Sequence, residues 1–222
     1  MTIWPVIAID GPAAAGKGTL AKRIAATLGL PYLDTGLLYR AVGRRVLSGS
    51  GDPADPTAAE VAARALRSED LGRADLRGPE ADAAAAAVAA IPAVRAALLD
   101  FQRSFGAATG AVLDGRDIGT VIFPDAPVKL YVTASLAERA HRRWLELQAR
   151  GIAADPATVE ADVLARDTRD APNMRRAADA VVIDTTSLDA DATFERAMSE
   201  VRRRLDALSR RNGPPRSPSS AS

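Results

Sequence analysis

Five short segments of almost unbroken apolar residues punctuate the chain: Val6 to Asp10, Pro31 to Asp34, Ala111 to Asp114, Val128 to Val132 and Ala180 to Asp184. Continuous runs of this kind fit strands covered on both faces, whereas a strand with one wet face would alternate. Longer stretches of helical character lie between them: about Lys17 to Leu28, Thr35 to Val46, Pro92 to Phe105, Ser135 to Arg150, Thr158 to Arg169 and Leu188 to Ser209. Strand and helix in alternation predict an α/β fold with a parallel sheet and helices on both faces. Ligands of such sheets bind beyond the carboxyl ends of the strands, and three of these strands end in Asp10, Asp34 and Asp114. The rhythm breaks from about 48 to 92, where Gly49, Gly51, Pro53 and Pro56 open an inserted lobe. In it Leu71 to Arg77 predicts a small hairpin, and Asp82 to Ala90 a helix on alanine content.

Composition narrows the class. A chain of 222 residues suits one domain, 1–212, that can bury a full core, with a tail at 213–222. The absence of cysteine excludes a disulfide scaffold, a thiolate metal site and a Cys nucleophile. The single histidine, His141, leaves no His cluster for zinc and argues against a Ser-His-Asp hydrolase. No apolar run is long enough to span a membrane, and Met1 to Pro5 lacks the charged start of a secretory signal. The expectation is a cytoplasmic monomer that binds neither membrane nor nucleic acid. From Arg196 onward seven Arg face only Glu200 and Asp206; a solvated helix face running into a disordered Gly/Pro/Ser tail is the expected meaning.

Candidate chemistry sits at the strand ends. Gly11-Pro12-Ala13-Ala14-Ala15-Gly16-Lys17-Gly18-Thr19 follows a buried strand and opens a helix, the setting of a phosphate-binding loop. Glycines let successive N–H groups curl inward, the helix N-terminus adds positive potential, and Lys17 supplies a mobile charge. Gly18 stands where such loops usually carry Ser or Thr, and the hydroxyl comes at Thr19. Thr35 is the expected N-cap of the next helix, with Arg40 on its exposed side. Asp114-Gly115-Arg116-Asp117 ends the third strand. Asp114 there suits the water shell of Mg²⁺, and the Arg116 fork can bridge two phosphates. Arg139, Arg142 and Arg143 share a helical face, and Arg166, Arg169 and Asp170 repeat that spacing beyond a turn at Gly151 to Pro156. Two such faces describe solvated helices with local pairs such as Asp162 to Arg166, or a lid, about 151–165, closing over phosphates. Arginine in this surplus, with no general base beyond Asp, points to phosphoryl transfer onto an acceptor that is itself a phosphate.

These segments together resemble the bacterial cytidylate kinases. The similarity is carried by Ile9 to Thr19, Asp34 to Arg40, Pro92 to Arg95, Asp114 to Ala126, Glu138 to Arg143, Arg166 to Asp170 and Asp179-Ala180, from Val6 to about Leu205. The resemblance implies a P-loop kinase with a five-stranded parallel sheet, flanking helices, a lid and a small inserted acceptor-binding lobe. It implies ATP and Mg²⁺, with CMP or dCMP as acceptor and some tolerance of UMP. Gly11 to Thr19, Arg139 and Arg143 would bind ATP. Lys17, Arg116, Arg166 and Asp114 would serve catalysis, with no direct metal ligand assigned. Thr35, Arg40, Arg95, Arg116, Asp117, Arg166 and Asp170 would bind the acceptor, Arg95 and Asp117 at its base. Ala86 stands where a base-contacting Ser is expected, and Asp170 runs straight into Ala171-Pro172-Asn173 where a further Arg contact is expected; Arg175 or Arg176 is the candidate substitute. A related P-loop kinase of a small hydroxylated metabolite is the alternative. A GTP switch is a weaker one, since it needs an Asn-Lys-x-Asp segment that the chain lacks.

Overall fold

The computed structural model describes residues 5–212, so the expected tail at 213–222 and the first four residues lie outside it. Its five strands are β1 (Val6–Asp10), β2 (Tyr32–Asp34), β3 (Ala111–Gly115), β4 (Val128–Thr133) and β5 (Val181–Asp184). They form one sheet in the order β2-β3-β1-β4-β5, and all four pairings are parallel. The helices are α1 (Lys17–Leu28), α2 (Thr35–Ser48), α3 (Pro56–Arg64), α4 (Pro79–Ala89), α5 (Pro92–Thr109), α6 (Leu136–Ala149), α7 (Pro156–Asp170) and α8 (Ala190–Asn212).

Strand period sorts the core. Along β1, Val6 and Ala8 pack towards α2, α3 and α5, while Ile7 and Ile9 pack towards α1 and α8. Both faces are dry, which is why the strand reads as continuous apolar sequence. Register then brings the acidic strand ends to one edge: Asp34 pairs with Asp114, Asp10 with Gly115 and Tyr131.

The inserted region departs from its expected form. Leu71 to Arg77 makes no hairpin; a 3₁₀ turn at Ser68–Gly72 leads into bends. Asp70 fixes that turn by accepting the Arg67 N–H at 2.9 Å and pairing with Arg45, and Leu76 leaves any strand alternation to enter the core. Helix α3 was not expected, although Asp55-Pro56 and the alanines behind it are a start signal: Asp55 accepts the Thr57 N–H, and Ala59, Ala62 and Ala63 are buried. Helix α4 lies unusually close to α2, because a Cβ on Gly43 would stand 2.7 Å from the Ala84 Cβ. No single helix among the described residues is long and apolar enough to cross a membrane.

Candidate active site

The loop between β1 and α1 is built by backbone constraint. A side chain on Gly11 would run into the Val132 carbonyl of β4, and Ala14 and Gly16 hold left-handed φ values of 57° and 85°. The chain thus curls tightly before α1 starts at Lys17. Lys17 is buried, donates to the Pro12 carbonyl at 2.6 Å, and is pushed down to about 7 by burial and by the neighbouring Arg116. Arg139, buried on α6, braces the loop from outside: it donates to Ala13 O at 3.3 Å and Ala134 O at 3.1 Å, and pairs with Asp167 of α7 at 2.7 Å.

Two buried carboxylates frame the loop. Asp10 accepts the N–H groups of Ile118 and Gly119, both at 2.8 Å, from a π-helical turn at Ile118–Ile122 that the pattern did not predict. Burial raises it to about 6. Asp114 is likewise raised to about 6, by burial and by its β2 neighbour Asp34, while the Tyr32 hydroxyl donates to it at 2.8 Å. The Asp114 Oδ2 lies 3.8 Å from the position of a Cβ on Gly18, so this carboxylate faces the loop.

The arginines converge on the same edge. Arg116 donates to Asp170 at 2.7 Å, Arg40 to Asp82 of α4 at 3.0 Å, and Arg95 pairs with Asp117 beside the Tyr39 hydroxyl. Arg166 forms no ion pair with Asp162, the pair that a purely solvated helix face would have made. It turns into the cleft, and burial and Arg116 lower it from its ordinary value. Among the described residues it makes no ion pair within 4 Å, although Asp82 and Asp170 act on it at longer range.

Other expectations shift. Thr35 is the first helical residue, not the N-cap: with Asp34 ahead of it, its buried hydroxyl donates instead to Asp114 O at 2.8 Å and ties α2 to β3. Arg40 is not on an outer face but largely enclosed between α2 and α4. Arg143, expected along the donor, points to α4 and pairs with Glu146 and Asp82. Arg142 points towards the loop instead, donating to the Thr185 hydroxyl at 2.8 Å and the Thr185 carbonyl at 2.6 Å. It lines a cavity of about 320 Å³ with Gly16, Thr19, Thr185, Leu188 and Asp189, whose later members were missed because only the fold brings residues 185–193 beside the loop. Arg175 and Arg176 are exposed, and Ala86 lies exposed on α4. His141 is exposed and stacked on Trp144, as a surface residue should be.

A parallel sheet with a glycine-bounded loop at the end of its central strand, a buried Lys, and arginines gathered at that edge define a P-loop kinase. The solved gluconokinase from Sinorhizobium meliloti has the same fold, with a TM-score of 0.55 at 12% identity, over 96% of this chain and all of that one. More specifically, the chain belongs to the cytidylate kinase family, whose model matches residues 7–203. It is 61% identical to the cytidylate kinase of Granulibacter bethesdensis over 203 residues, covering 90% of this chain and 97% of that relative. To the cytidylate kinase of Acidiphilium cryptum it is 60% identical, covering 92% and 99%.

Proposed function

We propose that the chain transfers the γ-phosphate of ATP to CMP or dCMP, giving CDP or dCDP. The observation that carries this reading is the gathering of buried Lys17 with the half-buried Arg116 and Arg166 beside the phosphate loop, close enough that both arginines lower Lys17 and Arg116 lowers Arg166. Such a concentration of positive charge costs folding free energy and is relieved when a polyanion binds opposite it.

The residues divide the work. The loop N–H groups and Lys17 hold the donor phosphates, and the cavity beside Arg142 and Thr185 receives the donor base. Arg40 and Arg166 hold the acceptor phosphate, and Arg116 spans both. An acceptor phosphate, with a second pKa of about 6, is already ionised near neutrality. Its oxygen attacks the γ-phosphorus in line as the bond to ADP breaks, and no general base is required. The Arg95–Asp117 pair reads the base: the carboxylate accepts from the cytosine amino group and repels the uracil carbonyl.

Mg²⁺ fits as a guest of the substrate. No group of three or more His, Asp or Glu among the described residues could cage a metal. Asp114, facing the loop, with Asp34 beside it on β2, would suit hydrogen bonds from the water shell of such an ion. Bound there, Mg²⁺ supplies charge neutralisation on the donor phosphates.

An ADP-release assay across nucleoside monophosphates tests the reading. CMP and dCMP should turn over fastest and UMP measurably, because neither Ala86 nor the exposed Arg175 and Arg176 adds a discriminating contact to Asp117 and Arg95. Turnover of gluconate or shikimate in place of CMP would sink it.

A further inference from the structure

Asp82 stands outside every group assigned above, yet it touches both lobes of the cleft. It lies in the first turn of α4, where an acidic residue by itself means only a favourable helix dipole. Its oxygens are not spent on that helix end. One accepts from Arg40 Nε on α2 at 3.0 Å, and the other lies 3.6 Å from the Arg143 guanidinium on α6. The close approach of α4 to α2 at Gly43 and Ala84 sets the carboxylate where both arginines reach it, and it is about three-quarters buried. The bond to Arg40 uses Nε, so the two terminal nitrogens stay on the open side of the fork; one lies 3.9 Å from Asp34.

We infer that Asp82 is a positioning residue for the acceptor phosphate: it holds Arg40 by Nε so that its terminal nitrogens meet the phosphate, and through Arg143 it ties that geometry to the α6–α7 hairpin. This rests on the proposed function, because Arg40 must bind an acceptor phosphate for its orientation to matter. A long flexible guanidinium loses rotamer freedom when it binds; a carboxylate that fixes it beforehand removes part of that cost. The second contact makes the lobe and the hairpin share one anchor, so that a displacement of α6 is felt at Arg40.

The test is a set of double-mutant cycles read as CMP affinity by calorimetry, with thermal melts on every variant. Asp82→Asn should weaken CMP binding about five- to twentyfold in the otherwise native chain, and less than twofold when Arg40 is already Ala. Arg143→Ala should weaken it two- to fivefold, and should add nothing to Asp82→Asn. Asp82→Ser enters the same cycles if the Asn variant does not fold. Losses that simply add, or tighter CMP binding by Asp82→Asn, would overturn the positioning role; the second result would make Asp82 a competitor of the phosphate. Wild-type CMP binding is measured first: if it is absent, the proposed acceptor is wrong, whereas additive losses with normal wild-type binding reject the role of Asp82 alone.

Discussion

Single residues here trade stability for charge. Lys17 and Arg166 are cations held in a buried cleft, an arrangement that costs folding free energy and is useful only when phosphates arrive. Lys17→Ala should lower kcat by roughly 10²–10³, the usual scale for removing one preorganised stabilising group, with a thermal midpoint that does not fall. Arg166→Ala should also lose activity, but its thermal midpoint should rise, by about 2–4 °C for each kcal/mol released; a lower midpoint would show that Arg166 is part of a structural network. Acid behaviour follows from Asp10 and Asp114, both raised to about 6 by burial. Between about pH 4 and 6 the folded protein holds protons that the unfolded chain releases, so their contribution to stability is fully present below pH 4 and is lost as pH rises through 6. Activity should run the opposite way, because Asp114 is proposed to serve the site as a carboxylate. A pH–rate profile with an acid limb near 6, set beside melts over the same range, checks both signs.

At the scale of elements, the decisive contact is α2 against α4. Gly43 permits it, and an added Cβ would stand 2.7 Å from the Ala84 Cβ and 2.9 Å from its backbone carbon. Backbone cannot yield cheaply, so Gly43→Ala should cost about 1–3 kcal/mol and push α4 outward. CMP affinity should fall with it, since α4 carries Asp82, while ATP affinity should change little. Comparable losses for both nucleotides would mean that α4 supports the whole cleft. The α6–α7 connection is braced in a similar way: Trp144 donates to Ala154 O at 3.1 Å, Ile152 N–H to Leu147 O at 3.0 Å, and Asp155 caps α7. This turn holds the two helices as one unit.

For the molecule as a whole, that bracing locates motion at the ends of the hairpin. Closure of α6–α7 over donor and acceptor is proposed, since it would keep the γ-phosphate from water. On the acceptor side its contacts include the ion pairs of Arg116 with Asp170 and Arg143 with Asp82, whereas on the donor side Arg139 and Arg142 hydrogen-bond to Ala13 O and Thr185. Hydrogen exchange in residues 145–172 should slow markedly when CMP and a non-hydrolysable ATP analogue bind together, most of all in the second half of α7 beside Arg166 and Asp170. Equal exchange in the free and doubly bound protein would rule out a closing hairpin.

Local sequence determined the sheet, the phosphate loop and the acidic strand ends. Buried parallel strands are continuous apolar runs, and a loop that needs left-handed backbone must spend its glycines there, so both features are written within ten residues of themselves. Reading failed where a residue's role depends on what lies opposite. Thr35 looks like a cap until β3 offers it the Asp114 carbonyl, and Leu71 to Arg77 looks like a hairpin until Asp70 and the pull of Leu76 into the core claim it. Helical spacing placed Arg139, Arg142 and Arg143 on one face and could not divide them. Packing sent Arg139 under the loop, Arg142 to Thr185 and Arg143 to Asp82. Those partners lie between about 40 and 130 residues away in the chain, and long flexible side chains of equal charge are distinguished only by the neighbour the fold brings within reach.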